Sequence, residues 1–421
     1  MKKITILTVG VFVFSLYLYA GGAKETEKPS APPKPVELEF PSWQAEEAGF
    51  ADFWKELIME FEKQNPGIIV KLSQIPFKDY NDTMTTRFAA GNPPHILHLP
   101  ARNVAQFARQ GWLEPLDERL KGTDILANWT PLQSSMVFDG KNMGILLMGY
   151  GFLLFYNEKM LNEAGVSIPK TAEELLIAAQ KTTKESAGIY GIGLTTADHP
   201  NIYVDISNIV YGKKLSFFKG GNYIFTDPEV VKAVYLYREL TKYAPKGTTT
   251  ELKRQLFVDG KVAMIIDGPW VAALLPKAPE GVRPYLKITS APFVINPGNP
   301  SNSIHLPAKI SDDKKSHVWN FIKLITSPHF QSRYTVLTKS PAGRAGVLTP
   351  DMIKKYPDLQ IINSAASKAV NTWPESQNVM ANYARYSKLV ATAMTKLMLT
   401  NEDTSKVLQE LQNQLSQEIK P

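Results

Sequence analysis

From Val36 to Phe40 apolar and charged residues alternate, the period of a half-buried strand. Phe50, Phe53, Trp54, Leu57, Ile58 and Phe61 then recur three and four apart, which places them on one face of a helix. Asn65-Pro66-Gly67 stops that helix, and Ile68 to Leu72 resumes as a second strand. Strand, helix, strand is a βαβ unit, and such units build covered parallel sheets through right-handed crossovers. The spacing next predicts a helix over Tyr80 to Ala90, ended by Gly91-Asn92-Pro93-Pro94, a third strand at Ile96 to Leu99 and a short helix at Ala105 to Gly111.

The longest apolar run past the leader is Ile145 to Tyr156, interrupted by glycines and too short to span a bilayer. It reads as a buried strand pair or a crossover between domains. Thr171-Ala-Glu-Glu174 is a capping box that opens a helix to about Lys181. Asp227-Pro228-Glu229 is a second strong start, with Val230, Val231, Val234, Leu236 and Tyr237 on its apolar face. A helix ends near Phe257, Asp259-Gly260 turns, and Val262 to Ile266 is a strand. His317 to Ile325 is helical, and Asn401 to Ile419 closes the chain with Val407, Leu408, Leu411, Leu415 and Ile419 on one stripe. Alternating strands and helices, twice over, give an α/β protein of two lobes.

The first 35 residues stand outside this pattern. Lys2 and Lys3 precede the apolar run Ile4 to Ala20, and Gly21, Gly22 and Ala23 follow, the order of a secretory signal peptide. Lys24 to Pro35 carries four prolines and alternating charges, with almost nothing to bury, and reads as an extended tether. An exported chain is not an ATP- or NAD-dependent enzyme of central metabolism. Roughly 385 residues remain, too many for one ordinary core and suited to two domains. There is no cysteine, so each core must hold without disulfides. The net charge of +7 falls to +5 when Lys2 and Lys3 leave, and it is dispersed rather than clustered, which argues against a nucleic-acid groove.

Hydrolase parts are missing from the sequence. There is no Gly-x-Ser-x-Gly elbow, no His-Glu-x-x-His and no glycine-rich phosphate loop. His95 and His98 are the one close histidine pair, but on a strand their spacing sends the rings to opposite faces, so no shared metal is expected. Glu46-Glu47 and Glu173-Glu174 fall in the first turns of helices, where carboxylates favour the dipole. No catalytic residue, metal or cofactor is assigned. What remains is aromatic. Of seven tryptophans, Trp54, Trp112 and Trp319 lie on apolar faces, and Trp129 has no clear place. Trp43, past the end of the first strand, Trp270, after Gly268-Pro269, and Trp373, in a polar loop, lie where a core does not need them. A flat indole amid amides, Asp and Arg suits sugar rings, with their apolar C–H faces and hydroxyl rims.

In this order the segments resemble a family. Phe61 to Gly67, Phe88 to Pro94, Phe155-Tyr-Asn-Glu-Lys-Met-Leu-Asn-Glu-Ala-Gly165 with Pro169 to Glu174, Phe257 to Met264 and Asp267-Gly-Pro-Trp270 are similar to the extracellular solute-binding proteins of ABC importers, in the sugar-binding group that includes maltose-binding protein. The resemblance covers about residues 36 to 419. It departs at Pro94-His95, where Pro-Asp is common, and at Ser301 to His305, which lacks glycines often found there. The resemblance implies an α/β, two-lobed type II periplasmic-binding-protein fold, each lobe a mostly parallel sheet flanked by helices, closing over a ligand. It implies lobes of 36–149 plus 305–345 and 150–304 plus 346–421, after a signal peptide at 1–23 and a tether at 24–35. By position the ligand loops fall on Trp43, on His98 to Asn103, near Tyr150, on Trp270, near His305 and on Trp373 to Tyr386. Trp43, Trp270 and Trp373 would stack on sugar rings, and Gln44, Asn103 and Asn378 would bond hydroxyls. His98, Tyr150, His305 and Tyr383 complete the set. Arg102, Arg344 and Arg385 would clamp a phosphate if they converge.

The implied function is to bind a sugar or short oligosaccharide outside the cytoplasm and deliver it, as a monomer without catalysis, to a membrane permease. A sugar phosphate or other anionic solute is the alternative, with a ligand-presenting sensor or an exported hydrolase behind it. Many relatives in such a family are anchored by an acylated cysteine after Leu-x-Ala; here Leu18-Tyr19-Ala20 is followed by Gly21. The chain is then either free in the periplasm or outside the cell, or held by an uncleaved signal. N-terminal sequencing decides: a start at residues 21 to 24 means cleavage and release, and an intact leader means anchoring.

Overall fold

The computed structural model describes residues 35–421, so the signal peptide and nearly all of the tether lie outside the described residues. Strand β1 (Val36–Ser42) pairs in parallel with β2 (Ile68–Gln74). The helix Phe50–Gln64 joins them and buries Phe50, Phe53, Trp54, Leu57 and Phe61. That is the βαβ unit the periodicity predicts. The helix ends where Asn65 Nδ2 donates to the Phe61 carbonyl at 2.8 Å and Gly67 turns at φ 91°. β3 (Leu97–Pro100) follows the helix Phe77–Ala89 and lies beside β1, where the Glu39 carbonyl accepts from the N–H groups of His95 and Ile96.

β4 (Ile145–Gly151) and β5 (Leu153–Asn157) make up the long apolar run, and every residue of both is buried. They are successive strands, yet they do not pair with each other. β6 (Tyr190–Gly193), β7 (Val262–Asp267), β8 (Leu286–Ser290), β9 (Asn296–His305) and β10 (Ala369–Asn371) complete the framework. β4 runs antiparallel to β9, which also pairs with β3 and β10. β5 belongs to a second sheet of order β8-β5-β7-β6. At Phe152 the chain therefore leaves one sheet and enters the other. The run is a crossover, and its full burial explains why no alternation marks it.

The expectation of mostly parallel sheets is corrected. Only β1–β2, β7–β6 and β9–β10 pair in parallel; β3–β9, β4–β9, β5–β7 and β5–β8 are antiparallel. A chain that crosses out along β4 and returns along β9 must run its two crossing strands against each other. Around the sheets the capping signals hold. Thr171 Oγ1 accepts from the Glu174 N–H at 3.1 Å, and Asp227 Oδ1 from the Glu229 N–H at 2.9 Å. The closing helix, Thr404–Glu418, buries Val407, Leu408, Leu411 and Leu415, with Ile419 just beyond it. Each such aliphatic side chain contributes roughly 1.5–3 kcal/mol. One helix gives little periodic signal: Ile202–Gly212 is buried on nearly every side.

The crossing leaves no room for side chains. A Cβ on Gly298 would lie 2.2 Å from the Tyr150 carbonyl oxygen and 2.5 Å from the Ala369 Cβ. Gly298→Ala is expected to cost ~1–3 kcal/mol through overpacking of these strands. Urea denaturation measures it, and an unchanged midpoint would mean that the strands part freely at this point.

Candidate functional site

The residues that follow strand ends converge between the two sheets. The loop after β1 carries Trp43, Gln44 and Glu47; the turn after β3 carries Arg102 and Asn103; Tyr150 ends β4. From the second lobe come the segment after β7, Asp267 to Trp270, the loop after β10 with Trp373, and Tyr383 at a helix start. Open α/β sheets offer ligands this position.

Trp43 is built into the wall. Its indole stacks on the His98 imidazole at 4.1 Å and 5°, with the edge of Tyr80 at 5.0 Å. His98 is fully buried, its Nδ1 bonded to Ser42 Oγ at 2.8 Å, and burial pushes its pKa down to about 3. A neutral ring that supports the indole is thus the role His98 takes. His95 makes separate contacts, with the Glu39 N–H and Lys314. Beside Trp43, the Gln44 side chain is buried and its Oε1 has no hydrogen-bond partner among the described residues. Asn103 Oδ1 is in the same condition. Buried amide oxygens are nearly always satisfied, so each of these is an open acceptor.

Across from them, Trp270 Nε1 donates to Asp267 Oδ1 at 3.0 Å, and the Tyr150 ring meets the indole edge-on at 4.8 Å. Tyr150 also bonds to the Asn299 side chain, and burial lifts its pKa well above the phenol's usual value. Asp267 accepts from Arg254 through two bonds of 2.9 and 2.8 Å. Burial alone would raise its pKa, but the Arg254 and Lys253 cations outweigh it and hold the carboxyl below its usual value. Lys253 in turn donates to Asp205 at 2.9 Å, so the charges under the site are paired throughout. Trp373 and Tyr383 lie 6.2 Å apart, and burial pushes the Tyr383 pKa up to about 12. Arg102, whose guanidinium lies over the Phe77 ring, is close enough for its charge to act on Tyr150, Tyr383 and His199.

Other candidates lie elsewhere. His305 is fully buried in β9, bonded to the Met143 carbonyl at 2.6 Å and to Ser303 Oγ at 2.7 Å, and so has no face toward the cleft. Arg344 is paired with Asp124 and bonded to the Thr326 carbonyl, and Arg385 is paired with Glu418. The three arginines therefore do not converge, because two are committed to local carboxylates. Asn378 accepts from Arg109 at 2.9 Å and donates to the Lys420 carbonyl at 2.6 Å, which uses its amide in a link between helices. Trp129, unplaced by the sequence, donates to the Leu146 carbonyl at 2.6 Å. Among the described residues no group of three or more His, Asp or Glu is placed to hold a metal ion.

Sequence reasoning missed Glu47 and Arg254. The helix begins at Phe50, so Glu47 precedes its first turn instead of lying within it. Its side chain has access to solvent, yet desolvation pushes its pKa up to about 7, against the pull of Arg254 and of a bond from Gln44. Glu47 therefore lies within reach of the Arg254 cation of the second lobe. The nearest signal in the sequence was the Glu46-Glu47 pair just before the helix.

Two sheets joined by crossing strands make the two-lobed α/β fold of a solute-binding protein. The chain belongs to the family of bacterial extracellular solute-binding proteins, whose family model matches residues 45–331. It is 25% identical over 415 residues to the putative ABC transporter periplasmic-binding protein YcjN of Escherichia coli strain K12, covering 94% of this chain and 82% of that one. It is 27% identical over 281 residues to the galactooligosaccharide-binding protein of Bacillus subtilis strain 168, covering 64% and 63%. Its fold matches that of an ABC transporter solute-binding protein from Thermotoga lettingae bound with α-D-tagatose, at a TM-score of 0.79 and 23% identity over 91% of this chain and 99% of that one.

Glu47 yields a pH test. Its folded pKa lies above the ordinary 4.5, so its stabilising protonation is complete below about 4.5 and is lost as pH rises through about 7. Glu47→Gln is expected to flatten the dependence of Tm on pH across that window. Parallel wild-type and variant curves would mean that the carboxyl titrates normally.

Proposed function

We propose that this protein binds a sugar or short oligosaccharide outside the cytoplasm and delivers it to an ABC transporter permease, without catalysis. The observation that carries this reading is one arrangement in the cleft. Tyr150, Trp270, Trp373 and Tyr383 gather there, with Trp43 in the wall beside Gln44 and Asn103, whose buried amide oxygens have no partner among the described residues. Aromatic rings suit the C–H faces of a pyranose, and open amide acceptors suit its hydroxyls. The sugar-binding names of relatives such as the galactooligosaccharide-binding protein favour the same class. Within the cleft, Trp270, Trp373, Tyr150 and Tyr383 are the stacking groups of this reading, and Gln44, Asn103 and Glu47 the hydroxyl partners. Arg102 is the one cation of the three candidate arginines left for an anionic ligand.

The lobes are 36–149 with 305–345 and 150–304 with 346–421, so that two crossings fall within β4 and β9 and the third in the loop after Arg344. Binding draws the lobes together, and the closed form is what the permease recognises. The protein acts as a monomer, in the periplasm or outside the cell, and its partners are the carbohydrate and the permease, not nucleic acid.

Intrinsic tryptophan fluorescence titrated with mono- and oligosaccharides tests the assignment. A saturable change is expected for at least one sugar, with Trp270→Ala weakening it by roughly tenfold or more, ~1.4 kcal/mol. No response to any sugar would sink the carbohydrate reading. Binding of an anionic sugar that weakens steeply with salt would move the ligand to the anionic class.

A further inference from the structure

The second-lobe tryptophan, Trp270, is held by polar contacts as well as by packing. Its Nε1–H is bonded to Asp267 Oδ1, and the Arg254 guanidinium lies over the ring at 5.4 Å from the centroid. The same Asp267 oxygen accepts from Arg254 Nη2 and from the Gly268 N–H at 2.8 Å each. Arg254 and the indole are therefore locked to one carboxylate. Gly268 adds a steric element. A Cβ there would lie 2.2 to 2.5 Å from three carbons of the six-membered indole ring. Gly268 has φ −76° and ψ 169°, an extended conformation that alanine adopts without strain. The glycine is required by the indole and not by the backbone.

Beneath this layer Lys253 is within 3.6 Å of Asp267 and 2.9 Å of Asp205, with all three side chains almost fully buried. Asp205 Oδ2 also accepts from the Thr195 N–H at 2.6 Å. The platform is thus anchored to the core of the lobe through charged groups that are costly to separate. An aromatic platform fixed before the ligand arrives loses less entropy on binding than one that must be ordered.

We propose that Asp267, Gly268 and Arg254 are positioning residues that hold Trp270 in its binding geometry, so that affinity depends on a preorganised indole. This rests on the carbohydrate reading of the same cleft. None of the three needs to touch the ligand. Their contribution runs through Trp270, and substitutions at Gly268 and Trp270 are coupled rather than additive.

A double-mutant cycle on the purified full chain tests this, using whichever sugar saturates the wild-type fluorescence and isothermal calorimetry as the readout. Gly268→Ala is expected to weaken binding about tenfold in the wild-type background and to have no further effect in the Trp270→Ala background. Arg254→Lys keeps the charge but loses the two-pronged bond to Asp267, and the same pattern is expected. Near-UV circular dichroism should change in both single variants while far-UV spectra stay as in the wild type. Gly268→Ala binding at wild-type affinity, or equal losses in both backgrounds, would overturn the positioning role. If Trp270→Ala itself leaves affinity unchanged, it is the stacking assignment that fails. If Gly268→Ala does not fold, Arg254→Lys alone carries the test.

Discussion

The pairing of β4 with β9 is the constraint on which the rest depends. Ile145 to Gly151 and Asn296 to His305 run antiparallel, and both are almost wholly buried. Each has one end in the first sheet and leads at the other into the second lobe, so backbone hydrogen bonds here serve two cores at once. Buried peptide groups must be paired, which leaves few ways for two such strands to lie. Glycine at 298 lets them approach closely, and glycine at 149 and 151 leaves room for the elements packed over them. A Cβ on Gly151 would lie 2.3 Å from the Ala365 carbonyl oxygen, and one on Gly149 would press into Leu132. Tyr150 sits between two of these glycines, and so the crossing also delivers an aromatic ring into the cleft.

On either side of the crossing the two lobes meet the cleft with different chemistry. The first lobe offers rings and amides: Trp43 backed by a neutral His98, then Gln44 and Asn103, whose acceptors have no partner among the described residues. The second lobe offers a rigid, charged foundation, Asp205–Lys253–Asp267–Arg254, whose members are satisfied among themselves. Isolated charges at this depth would be prohibitive, whereas a closed network leaves no unpaired charge beneath the indole. Unfilled acceptors on one wall and a filled network on the other suit a solute that brings hydroxyl donors and apolar faces in place of a formal charge.

Much of the fold was legible because its helices are amphipathic. Phe50 to Phe61 and Val407 to Ile419 mark their faces by spacing alone, and Thr171 and Asp227 mark helix starts by capping chemistry. Legibility stopped where burial is two-sided. Ile202–Gly212 shows no stripe because no side of it faces water for long, and the pairing direction of β4 and β9 is set by the return of the chain, which no local pattern encodes. Trp43, Trp270 and Trp373 stand out in sequence as indoles outside apolar stripes, and the structure buries Trp43 and Trp373 in the core and leaves Trp270 half-buried against it. His305 and Arg344 were misread for the same reason in two forms. A histidine in a strand and an arginine after a helix look available in sequence, and only tertiary partners, Met143 and Ser303 for one and Asp124 for the other, show that they are already used. Glu47 was hidden by the opposite effect. Two adjacent glutamates before a helix are ordinary until folding desolvates one of them and brings the Arg254 cation within reach of it.

That difference bears on how such a cleft evolves specificity. Trp43, His98 and Tyr80 form one packed unit with the first core, since the Tyr80 hydroxyl also bonds to the Pro41 and His98 carbonyls. Changing Trp43 disturbs the wall itself. Trp270 is instead held by Asp267, Arg254 and the edge of Tyr150 over a bare glycine, and its place can shift when that glycine gains a methyl group without the core being repacked. The first lobe therefore supplies a fixed surface, and the short segment from Asp267 to Trp270 is where small substitutions can reshape the pocket while both cores remain intact.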